Sequence, residues 1–180
     1  MLQRSLPTPL GRVIAFAKTG ELYGAYFDDA IDLPDDAPQT GHANQVPEGD
    51  SARGAVADAE AEADARLLDL VEAEFAAYFA GTLTHFSLPL AKRGTPFQQA
   101  VWTALAAVPF GTTLSYGDLA ARAGRPCALR AVGNSVGRNP WIIVVPCHRV
   151  LAARLALGGF SSGLDRKRAL LRHEGLGWRE

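Results

Sequence analysis

Apolar positions along the chain change period several times, and each change marks an element. Two β-leaning runs, GRVIAFA and ELYGAYF, flank Lys18-Thr19-Gly20, a tripeptide suited to a hairpin turn. From Asp28 to about Asp58 the residues turn to Asp, Pro, Gly, Gln and Asn, which predicts a mobile loop within residues 28–60. ADARLLDLVEAEFAAYFAG then places Leu68, Val71, Phe75, Tyr78 and Phe79 at helical spacing, with Gly81 where a helix would end. THFSLPLA suits a short strand that Pro89 confines to an edge. This half reads as a small α/β unit with nothing catalytic in it.

The second half is patterned for helices. In TPFQQAVWTALAAVPFG, Thr95 is placed as N-cap and Pro96 at the first helical position. Phe97, Ala100, Val101, Ala104, Leu105 and Val108 then form one apolar face. SYGDLAARAG predicts a short helix with Ser115 and Asp118 at capping-box spacing. Pro126 begins a third, PCALRAVGNSVGRN, and the two short helices suggest a helix-turn-helix. At about 100° per residue, Leu129, Val132, Gly133 and Val136 share the core side of that third helix. Cys127, Ala131 and Ser135 lie opposite, bordered by Arg130 and Asn134. So bald a face fits either the minor groove of a duplex or close packing against another part of the protein.

NPWIIVVPCHRV carries the candidate chemistry. WIIVV, bracketed by Pro140 and Pro146, is apolar without alternation and reads as a segment buried on both sides. Cys147 emerges at its end, either as a small buried hydrophobe or as a nucleophile. His148 and Arg149 favour the second reading, by offering a base and a positive charge to a thiolate. Neighbours in an extended chain point to opposite sides, so His148 is expected to act on Cys147 through a water. Such a histidine needs a third group to fix its tautomer; Glu174 in RALLRHEG is the candidate, and its place in a last helical turn equally fits an ordinary exposed glutamate.

Composition narrows the class. With 180 residues, 48% hydrophobic and 21% charged, the chain has the material for a folded core in one domain or two small ones. It contains no run of about 18 apolar residues and no leader-like N-terminus, and a cytoplasmic protein is expected. Cys127 and Cys147 show neither disulfide nor zinc-ligand spacing. The net charge of −1 hides an asymmetry: residues 1–90 hold 5 Lys/Arg against 15 Asp/Glu, and residues 91–180 hold 13 against 4. That basic half fits a polyanion partner, and equally fits two halves that neutralise each other.

Taken in order and spacing, TPFQQAVWTALAAVPFGTTLSYGDLAARAG, RAVGNSVGRNP, VVPCHRV and GLDRKRALLRHEG resemble the O6-alkylguanine-DNA alkyltransferases. The resemblance is dense over residues 94–176 and looser over 8–27. It implies a ribonuclease-H-like α/β domain (1–90) followed by a mostly α domain with a winged helix-turn-helix (91–180). It also implies repair of duplex DNA by base flipping, with irreversible single-turnover transfer of the alkyl group to Cys147. Position by position, His148 would be the base acting through water, Glu174 would orient it, and Asn139 would tie the recognition helix to the active-site segment. Arg130 would replace the flipped nucleotide, helped on the DNA by Tyr116, Ala131, Asn134 and Ser135. Tyr116, Trp141, the Val150 carbonyl, Phe160 and Ser161 would line the base pocket. The implied partner is DNA carrying O6-alkylguanine, with O4-alkylthymine as a further lesion, met by a monomer that needs no metal or cofactor.

Three departures bear on substrate range. Phe160 stands where the family often has Tyr, Ser162 where Gly is common, and LAARLALGG lacks the usual glycine-containing turn while adding Arg154. They predict ordinary competence with methyl groups and reduced reaction with benzyl adducts. Rival readings are a lesion sensor that binds without reacting, and a cysteine hydrolase or thiol-redox protein. The retained Cys147 speaks against the first, and the second leaves the bald helix unexplained.

Overall fold

The computed structural model describes residues 1–29 and 51–179. Strands β1 (Leu2–Thr8), β2 (Gly11–Lys18) and β3 (Glu21–Phe27) form an antiparallel sheet in sequential order. The β2–β3 turn falls on the expected tripeptide, with Thr19 and Gly20 both at positive φ (52° and 75°), the conformation a tight hairpin requires. Strand β1 was not foreseen: its short N-terminal run contains Pro7 and buries only Leu6, so its pattern is faint. Helix α1 (Ser51–Phe79) packs on β1 and β2 through Leu67, Leu68, Val71, Phe75 and Tyr78.

Helix α1 begins inside the expected loop. SARGAVADAEAEADA lacks an apolar stripe, yet its alanines and glutamates favour helix wherever the chain need not bury anything, and residues 56–62 are exposed. Residues 51–60 are thus helix where a loop was expected, and residues 30–50 lie outside the described residues. The helix closes as predicted, with Gly81 at φ 75° and the Thr82 amide donating back to the Ala77 carbonyl. The segment after it reaches the edge of the sheet at Leu90, where Leu22 exchanges hydrogen bonds with Pro89 and Ala91.

Helix α2 (Pro96–Ala106) has the full capping box: the Gln98 amide donates to the Thr95 side chain, and the Thr95 amide donates to the Gln98 side chain. Gly94 precedes it at φ 72°, where a Cβ would sit 2.7 Å from the Trp102 ring. Strand β4 (Leu114–Ser115) leads into α3 (Tyr116–Arg122), capped by the Ser115–Asp118 pair. Helix α4 (Leu129–Gly137) starts three residues later than expected, because residues 125–128 first close a turn in which the Ala128 amide donates to the Arg125 carbonyl. Strand β5 (Val150–Leu151) pairs in parallel with β4, and α5 (Leu164–His173) ends the helical part.

One apolar cluster runs through both halves, from Leu6 and Val13 of the sheet to Leu119, Val132 and Leu170. The outer edge of β3 joins them. The Ala25 amide donates to the Pro140 carbonyl, the Ile142 amide donates to the Ala25 carbonyl, and the Trp141 indole donates to the Leu22 carbonyl. The sheet thus supplies the wall against which residues 140–142 are pinned.

Thr95→Ala should cost about 1 kcal/mol by removing one half of the α2 capping box. Urea unfolding should show a lower midpoint with an unchanged slope; an unshifted midpoint would contradict the assigned cap.

Candidate active site

WIIVV is not a strand. Pro140 and Pro146 have no amide hydrogen to give a ladder, and the run folds into a buried turn with Ile143 at φ 70° and the Val145 amide donating to the Trp141 carbonyl. Asn139 holds this turn from inside. Its Nδ2 donates to the carbonyls of Val145 (2.7 Å) and Trp141 (3.2 Å) and to Cys147 Sγ (3.3 Å), while its Oδ1 accepts from the Trp141 amide. Asn139 closely follows α4, so the cysteine is tied to that helix by one buried side chain.

Residues Cys147–Arg149 form a single 3-10 turn, so Cys147 and His148 are not on an extended segment as expected. His148 is fully buried, with Nε2 2.8 Å from Glu174 Oε1. Burial opposes ionisation of Glu174, but hydrogen bonds from His148 and Arg149 outweigh it and hold the carboxyl at about 2. An ionised carboxylate only accepts, so His148 carries its hydrogen on Nε2 and keeps a lone pair on Nδ1. Among the described residues Nδ1 has no hydrogen-bond partner. Burial also pushes the imidazole below its ordinary pKa, against the pull of Glu174, which leaves it neutral with the Nδ1 lone pair unprotonated.

Arg149 does not serve the thiol as expected. Its Nε and a terminal nitrogen donate to the two oxygens of Glu174 (2.8 and 2.9 Å), and the other donates to the Val108 carbonyl. The positive charge acting on Cys147 comes instead from Lys167, which sequence reasoning missed. Lys167 is fully buried on α5, with Nζ donating to the carbonyls of Val150 (2.7 Å) and Gly159 (3.1 Å). Burial lowers it to about 8, partly offset by attraction to Cys147. A signal was present: Lys167, Leu170, Leu171 and Glu174 share one helix face, so two charged residues stand where only apolar ones belong.

Burial pushes the Cys147 thiol up, and the Asn139 hydrogen bond and Lys167 charge only moderate this. The resting sulfur is therefore a thiol, and its reaction needs a proton acceptor. Tyr116, at the start of α3, is close enough for Cys147 to help burial raise its phenol pKa. Its ring lies between Gly133 of α4 and Gly158, within 3.9 and 3.6 Å of where their Cβ atoms would be.

Other expected residues divide. Arg130, Ala131 and Asn134 are exposed along α4, as is Cys127 before it. Ser135 is not on that outer face: it is buried, its hydroxyl donates to the Ala131 carbonyl, and its own carbonyl accepts from the Trp102 indole. Leu129, assigned to the core side, is 51% exposed, because the helix begins with it. Trp141 faces β3 and packs edge-on against Trp102. The Val150 carbonyl accepts from Lys167, Phe160 packs partly buried on the core, and Ser161 is exposed nearby in sequence. The turn at residues 153–155, which lacks the glycine usual there, is still tight, with Arg154 and Leu155 both in the left-handed region (φ 59° and 63°).

Residues 96–176 match the family described as 6-O-methylguanine DNA methyltransferase, DNA binding domain. The chain is 55% identical over 98 residues to the methylated-DNA–protein-cysteine methyltransferase of Mycobacterium tuberculosis, covering 54% of this chain and 59% of that protein. It is 53% identical over 103 residues to the protein of that name from Salmonella typhimurium, covering 57% and 60%. These matches span about three fifths of the curated relatives' length. Among solved structures, Mycobacterium tuberculosis OGT in complex with DNA is 37% identical at a TM-score of 0.73, covering 96% of this chain and 92% of that one. The O6-methylguanine-DNA methyltransferase of Pyrococcus kodakaraensis is 25% identical at a TM-score of 0.50, covering 97% and 98%.

The depressed carboxyl of Glu174 makes a stability prediction. Its contribution is complete above the ordinary carboxylate range and fades as pH falls through that range toward 2. Between about pH 6 and pH 3, the wild type should lose about 1 to 2 kcal/mol more stability than Glu174→Gln. Urea unfolding at fixed ionic strength measures this, and parallel losses in the two proteins would contradict the assigned charge state.

Proposed function

The chain belongs to the 6-O-methylguanine DNA methyltransferase family, and from that premise we propose that it repairs O6-alkylguanine in duplex DNA by moving the alkyl group onto Cys147. The observation that carries this reading is a buried neutral thiol followed in the chain by a histidine whose Nδ1 is unprotonated and unpartnered among the described residues. Glu174 fixes His148 with hydrogen on Nε2, which leaves Nδ1 to take the thiol proton through a water. The sulfur lone pair then forms the bond to the alkyl carbon. The C–O bond pair leaves with guanine, which receives the proton in exchange. The product is a thioether, which water does not readily cleave, so each molecule acts once.

Access to the base requires that it leave the stack, and an alkylated guanine is the cheapest to extract because it pairs badly. In this reading α3 and α4 form a winged helix-turn-helix that approaches the minor groove, and the N-terminal half is ribonuclease-H-like. The low outer face of α4, with exposed Arg130, Ala131 and Asn134, supports it. Arg130 fills the place of the flipped nucleotide, and Tyr116 meets the base beside Cys147. Arg125, Arg130, Arg138 and Arg154 are exposed and make no salt bridge to a described residue, which supports a polyanion partner over neutralisation between the halves. The Arg166–Asp29 pair (2.8 Å) links the halves by charge. Ser162 is buried, and in this reading it narrows the pocket toward methyl groups.

Incubation with duplex DNA containing O6-methylguanine should add one methyl equivalent to Cys147 by peptide mass spectrometry, and none to Cys147→Ser. Benzylguanine duplex should react more slowly. Tight lesion binding with no mass gain would replace transfer by a binding-only role.

A further inference from the structure

Tyr78 reaches the site from the other half of the molecule. It is fully buried near the C-terminal end of α1, and its hydroxyl donates to Glu174 Oε1 at 2.8 Å. That same oxygen accepts from His148 Nε2 at 2.8 Å and from Arg149 at 2.9 Å. Three donors on one oxygen exceed its two lone pairs, so they share its charge. The other oxygen takes Arg149 Nε and, at 3.4 Å, the Gly111 amide. His173, the residue before Glu174, is turned to the Tyr78 carbonyl (2.7 Å), and its ring lies 4.8 Å from the tyrosine ring. Two successive residues at the end of α5 therefore grip one tyrosine of α1.

We propose that Tyr78 is a positioning residue for the His148–Glu174 pair, its hydroxyl holding Glu174 in place and drawing off part of the charge that Oε1 would otherwise offer His148. Burial, reinforced by the adjacent carboxylate, keeps the phenol protonated, so it acts only as a donor here. A carboxylate relieved of this donor binds the imidazolium more strongly. The tyrosine thus biases His148 toward the neutral form in which Nδ1 accepts a proton. The other charged or titratable groups around the pair are Arg149 beside it, Lys167 on α5, the neutral Cys147 thiol and His173 against the Tyr78 ring, and Tyr78→Phe substitutes none of them. The inference rests on the alkyl-transfer reading for its purpose, but the coupling between Tyr78 and His148 is measurable without DNA.

Two variants of the full chain test it, read by the nitrogen NMR titration of His148. Tyr78→Phe keeps the ring against Phe79, Phe86 and Phe110 and removes only the hydroxyl. It should move the His148 titration to higher pH by about 0.5 to 1 pH unit. Fluorotyrosine at position 78, a stronger donor of the same shape, should move it to lower pH, and decides the matter alone should Tyr78→Phe fail to fold. An unmoved titration in the folded variants, or shifts of the same sign in both, would overturn the proposal. Single-turnover transfer against pH, run in parallel, should show the acid limb moving with the NMR curve. A wild type that transfers nothing would remove the function, while the NMR shifts would still decide whether Tyr78 tunes His148.

Discussion

Burying the carboxylate of Glu174 is the constraint that organises this molecule. An anion taken from water must be met by donors on nearly every side, or it takes up a proton and the pair is lost. Here the donors come from distant parts of the chain: Tyr78 of α1, the Gly111 amide after α2, and His148 and Arg149 of the 3-10 turn. Satisfying one carboxylate therefore fixes the end of α5, the end of α1 and the turn that carries the cysteine. Arg149 supplies the full countercharge, which leaves His148 free to remain neutral.

The second fixed point is Asn139. It satisfies the Trp141 and Val145 carbonyls from inside the turn and places its remaining reach on the sulfur. The β3 edge holds the same turn from outside through residues 140–142. Cys147 consequently sits in a buried setting that disfavours the thiolate, with Lys167 close enough to limit the penalty. Such a sulfur is inert at rest. In the proposed reaction it becomes reactive when its proton has somewhere to go and an alkyl carbon is held in line.

Features decided locally were legible in the sequence. The capping boxes at Thr95–Gln98 and Ser115–Asp118, the turn at Thr19-Gly20 and the stop at Gly81 each depend on residues within a few positions. Features decided by distant contacts were not. WIIVV has the composition of a buried strand, and only the Asn139 side chain and the β3 edge make it a turn. Arg149 looked like the cation for Cys147 because it is two residues away, yet its guanidinium is committed to Glu174. Ser135 and Leu129 exchanged their expected environments because the buried face of α4 is centred on Val132, Ser135 and Val136, a rotation set by the partners packed against the helix and not by its own pattern. Glu174 could be named from the sequence, but Tyr78, 96 residues away on an ordinary apolar stripe, could not.

Glu174, in this mechanism, makes His148 the base for Cys147. The most direct measurement of that role is the single-turnover rate of methyl transfer from an O6-methylguanine duplex, compared between wild type and Glu174→Gln under saturating DNA. A loss of about a hundredfold or more is predicted, the scale of a lost acid–base contribution, with DNA affinity retained. A rate within about twofold of wild type, too small to be such a contribution, would contradict it.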